Sequence, residues 1–332
     1  MKLRVWLAAL KKHWVVWAGI IGVAALVVAV DPAEVVKAWA GADGRMVALM
    51  LPVVFLLYLG HGVAWWIALR GVGSKVSLRR AVQVTFISQA FDLLPGGDLW
   101  RVPIVKSEGG GKEEAGKIAA SVIFDDLAYF FVLTAAVLPL AARDGALRGL
   151  LLAALLPQMA IFTILLTPSL HRPLVRAVGR IRPIKRFVPQ LEMLGPAFRE
   201  LVRPKVLVPV VAMDALCVLL AVSLYWLAVS AVHTSGVSIT QIAFTYAVGQ
   251  VVSGLTIVPA ALGVYEGVMT GLMALQGAQP AAATAAILLY RAVNDFLMAA
   301  IGVLVAVMAD RSLARQRRQA VEVAMIAAGA AQ

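Results

Sequence analysis

The stretch FDLLPGGDLWR, residues 91–101, interrupts a chain otherwise dominated by Ala, Val and Leu. Two acids, an arginine, a proline and two glycines stand together there. Such a stretch is either a surface loop or a helix break set inside an apolar layer, and its surroundings decide between them. Hydrophobic residues make up 61% of the 332 positions and charged residues 14%, with a mean hydropathy of +0.88. That balance excludes a soluble globular domain and places the chain in a bilayer.

Crossing a bilayer takes roughly 20 mostly apolar residues in a helix. Six stretches qualify: Trp14 to Val30, Met46 to Leu69, Ile118 to Leu140, Leu147 to Leu166, Val206 to Val232 and Ala281 to Met308. The first is not read as a cleaved leader, because its apolar run is long and Asp31-Pro32 follows it. Pro157 is expected to kink the fourth. Two further apolar stretches are interrupted. Val76 to Arg101 breaks at Leu94-Pro95-Gly96-Gly97, and Ile239 to Gln276 breaks between Pro259 and Gly263. Non-helical backbone at membrane depth is tolerated only where protein or a wet cavity satisfies it, so both read as re-entrant hairpins.

Charge distribution supports that topology, since cytoplasmic loops collect Lys and Arg. With the amino terminus inside and each hairpin returning to its own side, only Lys37, Arg45, Arg143 and Arg148 of the 30 basic residues fall outside, and Arg291 falls within a span. Turning either hairpin into a full crossing destroys this asymmetry. Both termini are therefore expected in the cytoplasm. The two hairpins then enter from opposite sides, as in inverted-repeat transporter folds. Gly97 and Gly263 follow the two breaks, then come Asp98 and Glu266, and Asp125-Asp126 and Tyr290-Arg291 hold matching places in the helices beyond. The expected fold is all-α: a polytopic membrane protein of about six spans plus two broken re-entrant hairpins in an inverted repeat. A single membrane domain covers 1–318, with halves at about 46–142 and 206–309 around a basic cytoplasmic connector at 167–205, and a mobile tail at 319–332.

The opening stretch acquires a role in this frame. The Pro95-Gly96-Gly97 break starts a new helical arm that Asp98 can cap, and an arm's amino terminus can hold an anionic group. Arg101, one turn on, adds a fork-shaped phosphate binder. The competing reading is an interfacial loop anchored by Trp100, with Arg101 reaching headgroups; the second break in an inverted position favours the first. Asp125, Asp126, Asp214, Glu266, Arg291 and Asp295 all fall in or beside apolar runs, where unpaired charge is costly. Asp126 and Arg291 occupy corresponding positions and are expected to pair; simple helix-binding roles remain the alternative. Asp214 has no partner legible in the sequence and reads as a hydrated bundle residue or a proton-coupling group.

Several motif readings fail. EGGGKEEAG carries Glu113 where a phosphate-binding loop needs Ser or Thr. His13, His61, His171 and His233 are scattered without metal spacing, and the lone Cys217 can form neither a disulfide nor a thiolate cluster within the chain. No metal and no cofactor is expected, and no nucleophile elbow is present. The net charge of +12 is spread over loops beside spans, which argues against nucleic acid as a partner. In the connector, Leu174, Val175, Val178 and Ile181 alternate with Arg172, Arg176, Arg180 and Arg182, a pattern for an amphipathic helix on an anionic leaflet or for a solvated connector.

LLPGGDLWRVPIVK with AASVIFDDLAYFF, and VPAALGVYEGVMTGLMALQG with AAILLYRAVNDFL, resemble the two signature regions of the lysylphosphatidylglycerol synthase transmembrane family, also described as flippase-like. The resemblance runs from about the second span to the sixth. It implies a polytopic bacterial or archaeal protein of the plasma (inner) membrane that handles lipids, by flipping aminoacylated phospholipids or, in some relatives, within hopanoid or glycolipid pathways. Family members usually carry Arg near the position of Asp126, so this chain departs there. The chain ends soon after the sixth span, and the soluble aminoacyl-transferase domain of full synthases is not expected. The leading expectation is a lipid translocase, not an enzyme, in which Asp92, Asp98, Arg101, Glu266 and Arg291 line a path for a polar headgroup, anionic phospholipids among them. The alternative is a membrane-embedded glycosyl- or acyl-transferase using Asp98 or Glu266 as base, an accessory subunit of one, or a scaffold for lipid-synthesis enzymes in hopanoid or glycolipid biosynthesis.

Overall fold

The computed structural model describes residues 28, 31–91, 97–106, 112–141, 145–181, 185–255 and 261–309. Helices and turns account for them, with no strand among the described residues. The expected span Trp14 to Val30 lies outside them apart from Val28, as do Asp92, Pro95, Gly96, Pro259 and the 319–332 tail.

Capping residues set the first helices. Asp31 accepts from the Ala33 amide at 3.0 Å and Pro32 occupies the first turn of α1 (Pro32–Ala40). Asp43 accepts from Arg45 at 2.8 Å and starts α2 (Gly44–Gly71). Ser77 caps α3 (Leu78–Gln89). After the first break come a 3-10 turn at Gly97–Trp100 and the short α4 (Arg101–Lys106). The chain continues through α5 (Lys112–Ala141), α6 (Gly145–Leu166), α7 (Pro168–Val178) and α8 (Val188–Leu201). It then forms α9 (Pro204–Ala231), α10 (Ile239–Leu255) and α11 (Val264–Leu275). The last helix, α12, begins as Pro280–Arg291, passes through a π-turn at Ala292–Leu297 and runs as one span to Ala309. Prolines 204 and 280 sit in first turns, where their missing N–H costs nothing.

Among the described residues, four helices are long and apolar enough to cross a membrane: α2, α5, α9 and α12. They are apolar around their whole circumference, as lipid-facing helices must be. Leu49, Phe55, Leu56, Leu219, Leu304 and Met308 stand exposed on three of them, an apolar exterior that water does not tolerate on this scale. The α6 helix coincides with the fourth expected span and runs unbroken through Pro157, its described apolar part, Leu155–Leu166, being shorter.

The order long helix, broken helix pair, long helix occurs twice, in α2–α5 and in α9–α12. The first helices of the two sets, both 28 residues, lie antiparallel at the centre of the molecule. The Asp43 amide donates to the Ala231 carbonyl at 2.8 Å at one end, and Gly71 meets Val206 and Leu201 at the other. Close approach depends on glycine here: a Cβ on Gly60 would lie 2.8 Å from the Cys217 Sγ, and one on Gly62 2.8 Å from the Val82 Cα. The α5, α6 and α8 helices close one side through Phe124, Phe131, Phe162 and Phe198, packed edge to face.

The connector helix α7 is amphipathic, and it turns part of its apolar face into the protein. Val175 and His171 are buried against the protein, while Leu170, Leu174 and Ile181 remain exposed. Only part of the apolar face is thus left for a membrane surface; α8 takes the rest.

Candidate functional site

Each broken helix pair carries one partner of a buried arginine–carboxylate ion pair, and the long helix that follows carries the other. In the first, the 3-10 turn after the break delivers Arg101 into the protein, 3% exposed. Its guanidinium forms ion pairs with Asp98, three residues back, and with Asp125 of α5 at 3.2 Å. Nε donates to the Ser88 hydroxyl at 3.3 Å, and the group lies over the Trp65 ring at 5.3 Å. Trp65 is itself fixed by donating to the Ser121 hydroxyl at 3.0 Å. Two carboxylates and a hydroxyl engage all three nitrogens of the fork, and the aromatic face lies against its plane. Asp98 therefore serves the arginine across its own turn. The Asp126 carboxylate acts on the same guanidinium through space.

The second pair repeats this arrangement with charges exchanged. Gly263 has φ 80°, in the left-handed region that glycine adopts at no steric cost, and opens α11. The Glu266 carboxylate, 1% exposed, accepts from the Gly263 amide at 2.6 Å and forms an ion pair with Arg291 of α12. Arg291 also donates through Nε to Asp295 at 2.6 Å, and Asn294 holds the other Asp295 oxygen at 2.8 Å. The Tyr265 ring faces this guanidinium at 5.3 Å. The π-turn begins at the next residue. Such turns widen a helix and free backbone groups, and they recur at functional positions; here the Tyr58 hydroxyl donates to the Asn294 carbonyl at 3.2 Å.

Arg101 with Asp98, after the first break, and Glu266 with Arg291 of α12 stand in two separate ion-pair groups. The expected pairing of Asp126 with Arg291 is corrected. Arg291 is taken by Glu266 and Asp295, one on the neighbouring arm and one a helical turn away, and Asp125 rather than Asp126 carries the ion pair to Arg101. Gly97 and Gly263 stand at the ends of the two breaks; Asp92, Pro95, Gly96 and Pro259 lie outside the described residues.

Between the two groups lies a polar interior that joins Asp214, His61 and Cys217 to tyrosines that no sequence pattern singles out. The Tyr129 and Tyr246 hydroxyls share a hydrogen bond of 2.8 Å, and the His61 ring packs on Tyr129 at 5.1 Å. Tyr246, Tyr225 and Tyr290 pack ring on ring. Asp214 is fully buried, and neither carboxylate oxygen has a hydrogen-bond partner among the described residues. His61, Asp214 and Cys217 bring their ligand atoms within 4.8 Å of one another. No spacing along the chain announces this group, because the histidine and the other two come from different halves.

Four apolar spans, two broken helix pairs and buried arginine–carboxylate groups define an all-α polytopic membrane protein. The lysylphosphatidylglycerol synthase transmembrane region matches residues 15–302, and the chain belongs to that family, which assigns it a lipid-related place in the membrane. A comparison with curated proteins matched none.

Proposed function

We propose that the protein moves a polar-headgroup lipid between the leaflets of the plasma (inner) membrane, with the two hairpin ends as the groups that meet the headgroup. The observation that carries this reading is the pair of buried arginines, each held by two carboxylates, Arg101 just after the first helix break and Arg291 tied to Glu266 just after the second. Ion pairs at such depth are costly relative to apolar packing, and broken helices at the membrane midplane are where transporters place their sites. A translocase explains both the position and the cost.

The charge count refines the substrate. An anionic headgroup is the natural partner of bare arginines, but here Asp98, Asp125 and Asp126 surround Arg101, and Glu266 and Asp295 surround Arg291. The acids outnumber the bases at both ends. A headgroup carrying a positive charge can exchange for an arginine at a carboxylate, whereas an anion meets net repulsion. The favoured cargo is therefore a cationic or zwitterionic lipid.

Translocation is measured with the purified chain in liposomes, using fluorescent cationic, zwitterionic, anionic and isoprenoid-linked lipids. Amine-bearing headgroups are expected to cross faster than anionic ones. Glu266→Gln is expected to slow them at least about tenfold, the loss that one charge-assisted contact of about 1.4 kcal/mol produces. Movement of no lipid by folded protein overturns the proposal and favours an accessory role beside a lipid-modifying transferase.

A further inference from the structure

We propose that His61, Asp214 and Cys217 form a binding site for a divalent transition metal of the zinc class, tying α2 to α9 at the centre of the molecule. This goes beyond the lipid reading and does not depend on it.

Three observations converge. An imidazole nitrogen, a carboxylate oxygen and a thiol sulfur from two helices lie within 4.8 Å of one another. Asp214 and Cys217 are three residues apart on one face of α9, and His61 comes from the facing helix. Independently, Asp214 is fully buried with both oxygens unsatisfied among the described residues. A buried carboxylate without a donor is among the costlier groups a protein can hold, so the position calls for a partner. Space for the sulfur is also cleared: Gly60, beside His61, is the residue whose Cβ would collide with the Cys217 Sγ. Among the described residues the thiol's hydrogen bond is a long one, 3.9 Å to the Leu57 carbonyl.

The donor set selects the ion. Bonds of about 2.0–2.3 Å in tetrahedral geometry need donors about 3.3–3.7 Å apart, which small rotations of the imidazole and carboxylate supply. A thiolate and an imidazole with a single carboxylate do not suit calcium or magnesium, which take oxygen ligands. Charge closes as well. A divalent ion with one carboxylate, one thiolate and one neutral imidazole sums to zero, the condition a low-dielectric interior favours. The Cys217 S–H proton leaves to solvent on binding, and a fourth position stays open.

Cobalt(II) is the probe, because its bond to a thiolate absorbs in the near ultraviolet and Cys217 is the sole cysteine of the chain. The full chain, purified in detergent and freed of metal with a chelator, is titrated with cobalt(II). The expected result is a charge-transfer band saturating at one ion per chain and bleached by zinc. The band is absent from Cys217→Ser, and affinity falls at least about tenfold in Asp214→Asn and His61→Gln, at the lower end of losses at metal sites. Should a variant fail to fold, zinc is expected to protect Cys217 of the wild-type chain from a membrane-permeant maleimide and to raise its Tm. Folded wild-type protein without a band or protection overturns the proposal. A band that survives Cys217→Ser overturns it too.

Discussion

At the scale of single residues, the two arginine groups share a chemistry but differ in what one substitution exposes. Arg101 alone neutralises Asp125, which is 2% exposed and has one oxygen without a hydrogen-bond partner among the described residues. Arg101→Gln should cost about 3–5 kcal/mol of stability, the usual consequence of stranding a buried charge. Asp125→Asn should cost less, about 1–3 kcal/mol, because Asp98 still holds the guanidinium. The double substitution is expected to fall well short of the sum. Equilibrium unfolding of the four proteins in mixed micelles checks this, and additive losses would show that the pair is not coupled. The sequence singled out these charges, yet it could not choose between Asp125 and Asp126. Neighbouring residues on a helix point about 100° apart, and which one faces Arg101 is set by the rotation of α5 against α2 and α8. Ser88 and Trp65 were invisible for the same reason, since nothing in a Ser or a Trp records the guanidinium it will meet.

At the scale of elements, glycines mark where helices touch. A Cβ on Gly302 of α12 would lie 2.5 Å from the Phe86 carbonyl and 2.9 Å from the Ala90 amide. Both are backbone atoms of the first hairpin arm and its end, so no side chain can turn away. Gly302→Ala is expected to cost about 1–3 kcal/mol, as overpacking does. Gly267→Ala in α11, where nothing lies within 4 Å, should be neutral or stabilise by up to about 1 kcal/mol. Thermal unfolding in detergent compares them. The connector carries a different sensitivity. Burial between α7 and α8 holds the His171 imidazole below its ordinary value of 6.5, and the Arg199 charge acts in the same direction, against a hydrogen bond with the Leu191 backbone. A ring kept neutral in the fold contributes stability above pH 6.5, which is lost as pH falls through the lowered native value. Protection of the α7 and α8 amides, taken as the exchange rate relative to each amide's intrinsic rate at the same pH, should therefore weaken as pH falls below 6.5, and His171→Gln should remove the dependence. Break positions were legible, because Pro and Gly cannot be disguised in an apolar run. The π-turn at Ala292–Leu297 was not, since AVNDFL carries neither residue and its widening answers to Arg291, Asp295 and Tyr58.

At the scale of the whole molecule, the doubled order of elements and the antiparallel packing of α2 on α9 invite the inverted topology expected from the loop charges. In that topology each hairpin begins and ends on one face, and the two use opposite faces. Cys217 is fully buried, so a membrane-impermeant maleimide reads only cysteines introduced on the surface. Lys75→Cys and Glu114→Cys flank the first hairpin, Ser235→Cys and Gln279→Cys the second. In sealed, oriented vesicles, the first two are expected to label only from the cytoplasmic face, together with Lys185→Cys in the connector. The second two should label only from the opposite face, together with Ala40→Cys at the end of α1. This follows from the positive-inside bias of the loops and from the geometry, because Asp43 is bonded to Ala231 and both must share a face. If Lys75 and Glu114 label from different faces, the first hairpin is a full crossing and every later element inverts. The ion-pair groups of Arg101 and Arg291 would then no longer be related by an inversion across the membrane, and the case for two hairpin ends meeting one headgroup from opposite leaflets would fail with it.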